Sequence, residues 1–122
     1  MPRSSVVLSP SALGADEIDA AARRVWELAG ATAPLNLREV DDGAALQVRG
    51  GETVVLTVLR PRLLPTLDEV ARLLPGVADL PSGTRFWSDA YTPWEPEGAI
   101  GVAILDAVVS ASGARVVHHG LR

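Results

Sequence analysis

Two places in the chain combine side chains that could do chemistry. RFWSDAYTPWEPEG, from Arg85 to Gly98, holds Phe86, Trp87, Tyr91 and Trp94, four of the chain's five aromatic residues, beside Asp89 and Glu95. The second place is the pair His118-His119. An imidazole changes charge near neutral pH, so one of these histidines beside Asp89 would make an acid–base pair. Indole and phenol rings offer flat apolar area with a polar tip, which suits a stacked ligand or a protein partner. Packing is the competing role. Trp87 and Trp94 would then cover the end of a core, Asp89 would cap a turn, and Glu95 would sit in a first helical turn where the helix dipole favours acids.

Other chemistry is excluded by residue type. All eleven basic residues are arginine, so a Schiff-base lysine and a P-loop lysine are both impossible. Cysteine is absent, which removes disulfides, thiolate metal sites and a thiol nucleophile, and agrees with a reducing cytoplasm. Adjacent histidines in an extended strand point to opposite faces and do not share one ion, and no HExxH or HxH accompanies them, so no metal site is expected. GxGxxG, GxxxxGKS and GxSxG patterns are missing. Ser88 falls on the strand face opposite Asp89, which argues against a hydrolytic triad. No catalytic residue and no cofactor is assigned on these grounds.

Those side chains need elements to position them. A chain of 122 residues with 48% hydrophobic and 21% charged residues suits one folded domain, 1–122. No apolar run reaches the length of a membrane span, and the N-terminal stretch makes a poor signal peptide, so a cytoplasmic protein without membrane contact is expected. The formal charge is −4 and the arginines are scattered among acids, so no nucleic-acid partner is expected.

Val6-Val7-Leu8 reads as a short apolar strand. Asp16 to Ala29 places Ile18, Ala22, Val25 and Ala29 on one helical face, ended by Gly30, with Trp26 sealing the edge. Leu35 to Arg60 holds three strand-like runs parted by Asp42-Gly43 and Gly50-Gly51, an antiparallel meander. Within it, Thr53 to Leu59 is apolar on both faces, which predicts an interior strand covered on both sides or one whose second face meets a partner. Thr66 and Glu69 have capping-box spacing for a short helix lined by Leu67, Val70, Ala71 and Leu74. Thr84 to Tyr91 alternates as a strand, with Phe86, Ser88 and Ala90 on one face and Trp87, Asp89 and Tyr91 on the other. A helix is predicted from Thr92 through Ser110; apolar nearly all round, it should be buried on every side, with Gly98, Gly101 and Ala103 permitting close approach. Ala114 to His119 closes the order β-α-β-β-β-α-β-α-β. The fold class is therefore α+β, a three-stranded meander plus a C-terminal βαβ unit, with helices packed on the sheet. The helix–meander–helix order resembles the layout of type III secretion chaperones and of some bacterial immunity proteins, a likeness of element order without a shared motif.

If the strand ending at Tyr91 and the last strand lie side by side and parallel, their ends share one edge of the sheet. Trp87, Asp89, Tyr91, Trp94 and Glu95 would then gather near His118 and His119. The expected function is an acidic protein-interaction module using the 85–97 aromatic loop as its contact surface, with no enzyme activity implied. The alternative is a small-molecule site or acid–base enzyme whose pocket is formed by Asp89, Tyr91 and His118 or His119. A further alternative is a homodimer built on the second face of Thr53 to Leu59 or on an open strand edge.

Overall fold

A computed structural model describes residues 3–74, 80, 83–94 and 97–118. In chain order the elements are β1 (Arg3–Ser9), α1 (Ala15–Leu28), β2 (Leu35–Val40), β3 (Ala45–Gly50), β4 (Thr53–Leu59), β5 (Arg62–Leu63), α2 (Asp68–Leu73), β6 (Phe86–Thr92), α3 (Glu97–Ser112) and β7 (Arg115–His118). The expected α+β order is present with one addition. β5 is two residues long and pairs with Trp87 and Phe86, too short to leave a periodic signal in sequence.

All strand pairs are antiparallel and the main path of the sheet runs β2-β3-β4-β6-β1-β7. The meander forms as the turn dipeptides require. Asp41, Asp42 and Gly43 carry φ of 52°, 55° and 85° between β2 and β3, a left-handed run that Asp and Gly tolerate best. The register then sets Leu37, Val48 and Leu56 in one row across three strands.

β1 occupies the position between β6 and β7. Ser5 stands opposite Ala90 on one side and His118 on the other. β6 and β7 therefore run the same way but are not neighbours, which corrects the side-by-side arrangement expected from the sequence. The cause is the Val6-Val7-Leu8 run. These residues are 4%, 0% and 0% exposed, and a strand apolar on both faces is satisfied only inside a sheet that is covered above and below.

The two faces carry different cores. On one lie α1 and α3, with Ile18, Ala22, Ile104, Leu105 and Val108 against Val7, Val48, Leu56, Val58 and Ala90. On the other, Val70 and Leu74 from α2 and its end pack on Val6, Leu8 and Trp87. Leu67 and Ala71, expected on the packed side of α2, are exposed. In α2 the Thr66 hydroxyl accepts from the Asp68 N–H at 3.3 Å. Trp26 closes the end of α1 by donating its indole N–H to the Ala33 carbonyl at 2.8 Å.

Three expectations change. α3 begins at Glu97, because pairing of Thr92 with Arg3 extends β6 through the predicted cap. α3 is not buried all round: Ile104, Leu105 and Val108 face the sheet, while Ala99, Ala103 and Ala111 are exposed, since nothing described overlies the helix layer. β4 is interior, between β3 and β6, but among the described residues only its helix-facing side is fully covered; Val54 and Thr57 are half-buried. Val55 is the extra residue of a bulge in β4, and a Cβ at Gly101 of α3 would collide with its carbonyl oxygen. Gly101 thus fixes how closely α3 lies on the sheet. Gly101→Ala should lower stability by about 1–3 kcal/mol through overpacking, read as a lower urea midpoint at unchanged slope; an unchanged midpoint would contradict this contact.

Candidate functional site

β6 presents its side chains alternately to the two faces, so the aromatic stretch is divided before any chemistry begins. Trp87 is 5% exposed and lies in the core with Val6, Leu8, Val70 and Leu74. Its indole N–H donates to Asp89 Oδ1 at 2.9 Å. The Arg62 guanidinium sits 5.4 Å from the centre of the Trp87 ring, and its Nη2 is 4.0 Å from Asp89 Oδ2. Asp89 is thereby the acceptor that satisfies a buried indole. Arg62 comes from β5, whose pairing with Trp87 and Phe86 delivers it.

His118 belongs to the other face. Directly paired residues share a face, and His118 is in one row with Ser5 and Ala90, whereas Asp89 is in the row of Val6 and Val117. Asp89 and His118 consequently lie on opposite sides of the sheet. The gathering of Trp87, Asp89, Tyr91 and Trp94 around the closing histidines, expected from a shared sheet edge, does not occur for His118. Glu95 and His119 lie outside the described residues.

His118 instead bridges two partners that sequence reasoning missed. Its Nδ1 is 2.7 Å from Ser5 Oγ and its Nε2 is 2.9 Å from Asp106 Oδ1 of α3. The residue types are those of an acyl-transfer relay, but Ser5 is 3% exposed, out of reach of a substrate. The chain Ser5–His118–Asp106 ties β1, β7 and α3 together. Nothing in the sequence signals it, because Ser5 and His118 are 113 positions apart and meet only through the sheet.

The exposed part of the aromatic stretch is its second half. Tyr91 is 37% and Trp94 50% exposed. Tyr91 stands opposite Thr57, and the β4–β6 pairing covers only Thr57↔Tyr91 and Val58↔Ala90. A cleft of about 320 Å³ is lined by Val54 and Thr57 of β4 with Tyr91, Thr92 and Pro93. The Arg3 guanidinium lies 5.0 Å from the centre of the Trp94 ring. Tyr91, Pro93, Val54 and the Thr57 hydroxyl thus form a ledge, and Trp94 follows it in the chain, stacked on Arg3, whose row with Thr92 lies on the helix-facing side.

No family model matches the chain, and no curated protein or solved structure is similar to it. Among the described residues no helix is long and apolar enough to cross a membrane. The ledge is thus interpreted from its own chemistry.

The two tryptophans of β6 and the turn after it should separate cleanly by experiment. Trp87→Ala should cost about 3–5 kcal/mol of stability, and Trp94→Ala no more than about 0.5 kcal/mol. Trp94→Phe should remove most of the acrylamide-quenchable fluorescence. Equal costs for the two alanine variants would refute this division of the stretch.

Proposed function

We propose that the chain is a protein-interaction module whose contact surface is the ledge of Tyr91 and Pro93 over Val54 and Thr57, continued by Trp94 just past the end of β6. The observation that carries this reading is the exposure of two aromatic rings three residues apart, Tyr91 beside an apolar cleft and Trp94 just beyond Pro93. Covering the open half of an indole, on the order of 100 Å², is worth about 2–3 kcal/mol. That is enough to make one side chain dominate a small interface. Arg3 stacked on Trp94 limits the freedom of the ring, which lowers the ordering cost of binding. The Tyr91 hydroxyl and Thr57 supply the polar groups that orient a partner segment whose apolar side chain enters the cleft.

An acid–base enzyme is less well supported. Of its two candidate pairs, Asp89–His118 is split between the two faces of the sheet and His119 lies outside the described residues, and Asp89 is engaged by Trp87. The cleft side chains named above bring hydroxyls rather than a pair of groups that titrate near neutrality.

A photoreactive residue at position 94 should cross-link a partner that the same residue at Arg38, exposed on the edge strand β2, does not. Titrated against that purified partner, Trp94→Ala and Tyr91→Ala should each weaken binding by about tenfold or more, with the thermal midpoint unchanged for Trp94→Ala. Cross-linking of the same partner from both positions, or full affinity in both alanine variants, would refute the ledge as the contact surface.

A further inference from the structure

The α1–α3 layer carries a second open surface, which shares no residue with the cleft beside Tyr91. A groove of about 310 Å³ runs between the helices, walled by Ala20, Ala21 and Arg24 of α1 and by Ala107, Val108 and Ala111 of α3, with Glu17 at one end. α3 is apolar nearly all round, yet Ala99, Ala103 and Ala111 are exposed. Leu28, on the same stripe of α1 as Glu17, Ala21 and Arg24, is 81% exposed. Nothing among the described residues covers this apolar composition.

The charges on the groove say what covers it. Glu17 and Arg24 are seven residues apart on α1, two turns and about 10 Å along one face. Both are exposed, and neither makes an ion pair among the described residues, unlike Asp19 and Arg23 beside them. A two-fold axis crossing α1 between Ala20 and Ala21 reverses the helix direction, so that Glu17 meets Arg24 of a second copy and Arg24 meets its Glu17. The pattern is self-complementary, as an isologous contact requires. The alanines allow the two helix layers to approach closely, and the reversal carries Leu28 to the N-terminal end of the other α1, opposite Leu13 just ahead of it. A partner of uniform charge would satisfy one of these two residues and oppose the other.

We infer that the chain forms a two-fold homodimer through the α1–α3 groove, with Glu17 and Arg24 as reciprocal ion pairs between the copies. Sedimentation velocity of the full chain across micromolar concentrations should show a dimer. Glu17→Arg and Arg24→Glu each turn both symmetry-related attractions into repulsions and should weaken dimerisation by about tenfold or more. The double variant E17R/R24E restores opposite charges at both contacts and should recover the dimer. Circular dichroism of each variant separates loss of association from loss of fold, and Trp94→Ala should leave the dimer intact. A monomeric wild-type chain, a dimer indifferent to either single reversal, or a folded double variant that stays monomeric would each overturn the inference.

Discussion

The structure depends on what Val6, Val7 and Leu8 require. Three consecutive residues that are almost fully buried contribute about 1.5–3 kcal/mol apiece when removed from water. A surface ion pair contributes at most about 1 kcal/mol. The apolar run therefore decides where β1 goes, and it goes to an interior place where both edges are paired and both faces covered. From this follow the separation of β6 and β7, the packing of Leu8 on Trp87, and the row that joins Ala90, Ser5 and His118. The helices take one face and α2 with its flanking segments takes the other because β1 needs both.

Alternation along β6 converts this arrangement into a division of labour. A residue that faces the helices cannot cooperate with its neighbour in sequence, which faces away. Ser88 and Ala90 are sealed beneath the helix layer. Trp87 and Asp89 anchor the smaller core through a hydrogen bond between them, and Arg62 covers both. Tyr91 is carried past the area that α2 covers, and Trp94 follows in the turn, so both rings reach solvent. The aromatic density that distinguishes residues 85–98 thus has two causes rather than one: a buried indole that completes a core, and an exposed pair beside a cleft.

Local signals were legible in the sequence and long-range neighbours were not. The meander, α1, the alternation of β6 and the glycine after α3 follow from periods of two and 3.6 residues and from turn chemistry, all of which act within a few positions. The place of β1 in the sheet depends on a competition among strands for burial, and no short window contains it. Phase was correctly assigned for Asp89, yet its partner could not be, because the row of His118 is set by β1 pairing on both sides. The predicted cap at Thr92 failed for a related reason: a strand partner, Arg3 of β1, outcompeted the helix for that residue. β5 left no signal because two residues have no period.

The composition of α3 was a truthful signal attached to the wrong cause. A helix apolar nearly all round indicates burial, and among the described residues only the side bearing Gly101, Ile104, Leu105 and Val108 is covered. The cleft beside Tyr91 and the helix groove share no lining residue, so occupation of one leaves the other free. A dimer joined through the helix layers would place two sheets back to back and turn a ledge outward on each side. Two outward contact surfaces at fixed separation raise the effective concentration for a repetitive or dimeric partner without any new contact. The small side chains of α3 and the exposed indole after β6 then serve one arrangement, with the helices joining the copies and the open sheet faces meeting the partner.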